Sequence, residues 1–145
     1  MESTGKVILP TYEEVIEVNR IQYEFYGGTW APPDNLKNPD ALRGILEYIQ
    51  DPPVVDESFV GVLNIATRYA WHIIRSHYFH DGNKRTGMHV LVAVLDANGF
   101  YLRTSSAEIE AIGLRVADQT RPDSMTLDDL RAWVHSIAED RGANA

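Results

Sequence analysis

The sequence predicts an all-α fold, a helical bundle of about six helices, and three observations carry that reading. From Phe59 to His77, apolar residues recur at i, i+3, i+4 and i+7: Phe59, Val62, Leu63, Ala66, Tyr69, Ala70 and Ile73. A hydroxyl residue followed three positions later by an acid precedes an apolar run at Thr11/Glu14, Ser105/Glu108 and Thr126/Asp129, the signature of a capped helix start. Almost nothing else in the chain reads as strand.

Thr11 and Glu14 open the first helix, which carries Val15, Val18, Ile21, Tyr23 and Phe25 and stops at Gly27-Gly28. "GGTWAPPDNLKNPD" is too rich in Gly, Pro and Asn for a helix and reads as a long loop. A short helical pattern resumes from Ala41 to Gln50 and ends at "DPP". The amphipathic helix Phe59–His77 follows. "MHVLVAVLDANGFYLRT" is ambiguous: its β-branched run with Asn-Gly suits a strand and hairpin, whereas a helix from Lys84 to Asn98 would be apolar on most sides and buried in a bundle. Ser105 opens a helix to about Asp118, and Thr126 opens the last, with Leu127, Leu130, Trp133, Val134 and Ile137. Residues 1–140 are expected to form one domain, and the tail 141–145, "RGANA", to fray.

Composition narrows the chemistry. The 145 residues include no cysteine, which excludes a disulfide framework, a Cys-ligated zinc and a thiol nucleophile. The start "MESTGKVILP" lacks the pattern of a signal peptide, and the longest apolar run, Val90–Leu95, is far short of the ~20 residues that span a bilayer. A reducing cytoplasm is the expected compartment. The net charge of −8 disfavours direct binding to nucleic acid or to an anionic membrane. Against that background a local Lys84-Arg85 pair is informative.

The pair belongs to "SHYFHDGNKRTG", Ser76–Gly87, which crowds polar and charged groups between two apolar segments. If a buried helix begins near Asn83, the amides of Gly82, Asn83 and Lys84 are unpaired donors at a positive dipole end, a ready anion site. Arg85 offers a forked donor set for phosphate oxygens, and Lys84 a point charge. Asp81 is a hard oxygen donor of the kind Mg²⁺ takes alongside substrate phosphates. His77 carries an imidazole, a side chain suited to proton abstraction from a hydroxyl. Each residue taken alone has a plainer reading. Asp81 or Asn83 serves equally as an N-cap, Lys84 and Arg85 as a solvated first turn, His80 as an exposed side chain, and His72 and His89 as packed or surface residues. Phe79 reads as a core anchor for the loop.

The combination is more specific. "HYFHDGNKRTG" resembles the signature of the Fic/Doc family: His, any residue, Phe, any residue, Asp or Glu, Gly or Ala, Asn, Gly or Lys, Arg. Every fixed position of that pattern is filled between His77 and Arg85. "FYGG" with its Pro-rich loop and "DANGFYL" look like the Doc (death-on-curing) branch, so the resemblance spans most of the chain. It implies a Fic-type helical bundle with a short flap loop or hairpin, and hence a helix for the ambiguous run. It also implies roles. His77 would be the catalytic base that activates a Ser, Thr or Tyr hydroxyl of a target protein. Asp81 would hold Mg²⁺ on the phosphates of ATP or another nucleoside triphosphate. Gly82 and Asn83 would form the anion hole, Arg85 would bind a terminal phosphate, and Phe79 would lock the loop. The loop from Gly28 to Asn38 would be a flap that aligns the target by strand-like pairing.

Position 84 bears on reaction type. AMP-transferring Fic enzymes usually have Gly there, and the Doc branch has Lys, as here. Lys84 would crowd the phosphates and favour a reversed nucleotide with its γ-phosphate facing the hydroxyl. The implied protein is a Doc-like toxin that phosphorylates a translation factor, such as an elongation factor, with adenylyl transfer (AMPylation) as the alternative. The family's inhibitory motif is not matched, since Ser106–Glu110 is followed by Ala111. Restraint would therefore come from a separate antitoxin protein laid along an apolar groove. "TWAPPD" is also more proline-rich than a Doc flap. Two other readings are a catalytically silent Fic-fold binding module and an HD-type phosphohydrolase using His77, His80-Asp81 and Asp96, though the latter leaves "GNKR" unexplained.

Overall fold

The computed structural model describes residues 7–50 and 58–142. It is all-α, with six helices in the described residues: α1 Tyr12–Tyr26, α2 Pro39–Ile49, α3 Phe59–Ser76, α4 Asn83–Ala97, α5 Ser106–Ala117 and α6 Leu127–Ile137. A two-stranded antiparallel ribbon joins β1 Phe100–Leu102 to β2 Ala138–Asp140, in the register Phe100↔Asp140 and Leu102↔Ala138. Among the described residues no helix is long and apolar enough to cross a membrane.

Helix starts follow local chemistry. Thr11/Glu14 and Thr126/Asp129 each close both halves of a capping box. Ser105 makes only its own half. It accepts from the Glu108 amide, while the Glu108 carboxylate bonds the Thr104 hydroxyl and lies 3.4 Å from Trp133 Nε1. The run after the motif is a helix, α4. Asn98 ends it and Gly99 follows at φ 89°, so Asn-Gly acts here as a helix stop and not as a hairpin turn. The "DPP" stop lies outside the described residues. Of the C-terminal "RGANA", the Arg141 amide donates to the Gly99 carbonyl at 2.9 Å, and 143–145 lie outside the described residues.

α3 and α4 form the centre. From Gly61 to Ile74 most of α3 is buried, and α4 contributes Thr86, Gly87, Met88, Val90, Leu91, Val94 and Leu95. The axes approach closely at Gly87. A β-carbon there would lie 2.5 Å from Ile74 Cγ1 and 3.0 Å from the Ala70 carbonyl oxygen. The other helices and the ribbon surround this pair, so the α3–α4 connection emerges at one end of the core.

α1 departs from expectation. Ile21 and Tyr23 are more than a third exposed and Phe25 is 79% exposed, whereas Val15, Asn19 and Gln22 are buried. Its inward face is thus partly polar, and those polar groups meet the α3–α4 connection.

Gly87→Ala is expected to lower stability by about 1–2 kcal/mol, because the overpacking outweighs the ~1 kcal/mol that Ala gains in helix propensity. Urea unfolding measures it; a higher midpoint would show that Ile74 yields without cost.

Candidate functional site

The α3–α4 connection is pinned on several sides. α3 ends at His77, whose backbone is left-handed at φ 51° and ψ 54°. Phe79 is fully buried in the core, an anchor whose loss would cost about 3–5 kcal/mol. Asn83 clips back onto it: Oδ1 accepts from the Phe79 amide at 3.0 Å, and Nδ2 donates to the Phe79 carbonyl at 2.9 Å. From outside, Leu36 forms an antiparallel bridge with Phe79. The Lys37 amide donates to the Tyr78 carbonyl at 3.0 Å, and the His80 amide to the Asn35 carbonyl at 2.9 Å. Residues 35–37 of the 28–38 loop are thus paired with the motif itself.

Below this ribbon lies a buried amide network. Asn19 Nδ2 donates to the Asp81 carbonyl and to Thr86 Oγ1, both at 3.0 Å, and its Oδ1 accepts from Asn35 Nδ2 at 3.0 Å. Asn35 Oδ1 accepts from the Ala31 amide at 2.9 Å. Asn35 and His77 are the non-glycine residues with positive φ among those described, and both belong to this region. Such conformations concentrate where the surroundings impose a geometry.

α4 begins differently from the other helices. Thr11, Asn38, Ser58, Ser105 and Thr126 each cap a helix with a side chain, whereas α4 starts at Gly82, at φ 79°, with no side-chain cap. Its first-turn amides stay open to a ligand at the positive end of the helix. Asp81 flanks this end. Its Oδ2 accepts from the Thr29 amide at 2.9 Å, and its Oδ1 from the Gly82 amide at 2.9 Å. The Thr29 bond, with that of Gly82 and the charges of Lys84 and Arg85, holds the carboxyl below its ordinary pKa, so it is ionised at neutrality. Gly28, at φ 108°, makes this approach possible, since a β-carbon would fall 2.3 Å from Asp81 Oδ2.

A cavity of about 130 Å³ opens between α1, the 27–29 turn and the start of α4, with Gln22, Tyr26, Gly28, Asp81, Gly82 and Arg85 in its wall. The Arg85 guanidinium lies over the Tyr26 ring, 4.0 Å from its centroid. Its Nη2 is 3.3 Å from Glu110 Oε2 of α5, and its Nε is buried with no partner among the described residues. Of the sequence-derived candidates, Asp81, Gly82 and Arg85 meet at this cavity. Phe79 and Asn83 are buried behind it as supports. His77 and Lys84 are exposed and outside its wall, with Lys84 beside α5, where a β-carbon on Gly113 would come within 3.9 Å of its own.

The donor set suits a magnesium nucleotide. A single ionised carboxylate with acceptor capacity beyond its two amide bonds fits a Mg²⁺ ion that takes its remaining ligands from phosphates and water. The orphaned Arg85 Nε and the open amides fit phosphate oxygens. Among the described residues no three His, Asp or Glu side chains converge as a metal cluster, which is what an HD-type site would need.

Asn19, Gln22, Tyr26, Thr29, Asn35 and Glu110 were not singled out from the sequence. For Asn19 and Gln22 a signal existed: they follow Val15 at i+4 and i+7, on its buried face. Glu110 gave a weaker one, as the acid of the Ser106–Glu110 run.

A model of the Fic/DOC family matches residues 9–95. No curated protein sequence matches the chain. The Arg85–Glu110 pair is exposed, and such pairs are worth up to about 1 kcal/mol. Glu110→Gln is therefore expected to tighten pyrophosphate binding by up to about five-fold at low salt, as read by calorimetry. Unchanged affinity would show that Glu110 does not compete for Arg85.

Proposed function

Because the chain belongs to the Fic/DOC family, whose members generally transfer nucleotide moieties to proteins and commonly use a nucleoside triphosphate with Mg²⁺, we propose that it is a Doc-type protein phosphotransferase. It moves the γ-phosphate of ATP or a related triphosphate onto a hydroxyl of a target protein. The observation that carries the reading is the uncapped start of α4 beside Asp81 and Arg85, with His77 at the other end of the same short connection.

In this scheme the first-turn amides of α4 and the Arg85 guanidinium bind and orient the phosphate tail. Asp81, ionised at neutrality, would hold Mg²⁺, which when bound would offset phosphate charge and polarise the transferred group. His77 takes the proton of the target's Ser, Thr or Tyr hydroxyl. The hydroxyl oxygen bonds to the γ-phosphorus, the bond from that phosphorus to the β–γ bridging oxygen breaks, and the nucleoside diphosphate leaves. Lys84 supports γ-transfer through its type and its charge at the start of α4. Its exposed position offers little support for steric crowding.

The target class, a translation factor such as an elongation factor, and restraint by an antitoxin protein in trans follow from the same branch assignment. An antitoxin has a candidate seat in the apolar groove between α1 and α4, lined by Leu9, Pro10, Val18, Val90, Val94 and Ala97.

Incubation with cell lysate and ATP labelled at the α or the γ position tests the reaction. γ label is expected on one protein band and α label on none; the reverse pattern establishes adenylyl transfer instead. His77→Ala is expected to abolish labelling and growth arrest, and arrest that survives it would mark a binding module. Lys84→Gly is expected to shift label from γ toward α, and unchanged γ transfer would show that Lys84 does not set the nucleotide's orientation.

A further inference from the structure

One polar side chain in the cavity takes no part in the network that holds the fold. Gln22 is 4% exposed and shares the wall with Asp81, Gly82 and Arg85. Its Oε1 is buried and has no hydrogen-bond partner among the described residues. One turn earlier on the same face, Asn19 is 1% exposed, yet both ends of its amide are bonded. A buried unpaired polar group is destabilising, and an apolar side chain of similar volume would avoid that cost. Gln22 therefore reads as a group whose partner is a ligand.

A second orphan identifies the ligand's chemistry. Arg85 lines the same cavity, and its Nε is buried and also unpartnered. Apart from the Asp81 carboxylate, which the nucleotide reading assigns to Mg²⁺, the open groups around it include donors: this N–H and the first-turn amides of α4. They select an oxyanion. A carboxamide turned about its last bond presents its amino group in place of its oxygen, and only that end attracts an oxyanion. We propose that Gln22 is a phosphate-contacting residue, its amide giving a non-bridging phosphate oxygen an uncharged donor beside Arg85. The inference rests on the nucleotide reading of the site and extends it to a residue of α1, far from the motif in sequence. A neutral donor secures the phosphate without adding charge, so Arg85 keeps its balance with Glu110 and Tyr26.

The test uses the full chain, wild type against Gln22→Met and Gln22→Glu. Calorimetric titration with pyrophosphate and with Mg-ATP is read beside thermal unfolding. Gln22→Met is expected to melt at or above the wild-type temperature, since it removes a buried orphan. It should bind both ligands about ten-fold more weakly, the loss of one hydrogen bond to a charged group. Gln22→Glu is expected to bind more weakly still, through like-charge repulsion. Unchanged affinity in Gln22→Met overturns the proposal, as does a fall of several degrees in melting temperature alongside the weaker binding, which would assign a structural role. Wild-type protein that binds neither ligand overturns both this inference and the nucleotide reading. Pyrophosphate binding that depends on Gln22, without any transfer from ATP, upholds the inference and overturns the proposed reaction.

Discussion

The carbonyl oxygen of Asp81 is gripped from beneath by two buried asparagines, and the geometry of the site depends on that grip. Asn19 brings α1 to it and Asn35 brings the 28–38 loop, while the Asn19 amide also holds Thr86 in the first turn of α4. Distant parts of the chain are thereby joined through a handful of hydrogen bonds away from water, where each is strong and an unmatched group is costly. Once the Asp81 main chain is fixed, its carboxylate meets the Thr29 amide and Gly82 is left to begin α4. The open amides, the ionised acid and the arginine take their relative positions from this arrangement.

Electrostatics add a local cluster of cations, set against the acids Asp81 and Glu110. The chain carries a net charge of −8, yet the end of α4 gathers a helix dipole, Lys84 and Arg85. Arg85 is stacked on Tyr26 and faces Glu110, so its charge is held in place and partly balanced before any anion arrives. On the proposed reading Lys84, exposed and outside the cavity wall, would contribute chiefly a field that draws anions toward it.

Much of this architecture was legible in the sequence, because it is written in local chemistry. Hydroxyl–acid pairs marked helix starts, the apolar repeat marked α3, and Phe79 between polar neighbours marked an anchor that is fully buried. What escaped was polar burial. On α1 the apolar pattern is Val15, Val18, Ile21, Tyr23 and Phe25, of which only Val15 is fully buried, and positions two apart do not share a helix face. The buried residues are Val15, Asn19 and Gln22, and buried amides such as Asn19, bonded to partners far along the chain, leave no hydrophobic periodicity. The pairing of Leu36 with Phe79, and of Glu110 with Arg85, likewise depends on tertiary contact that local pattern does not encode.

The left-handed turn at His77 sets two demands against each other. A branched or aromatic-bearing residue sits there at a conformational cost of order 1 kcal/mol, and glycine would relieve it. Glycine at this corner would ease the turn but remove the imidazole that the proposed reaction uses, so on that reading durability and reactivity stand in opposition.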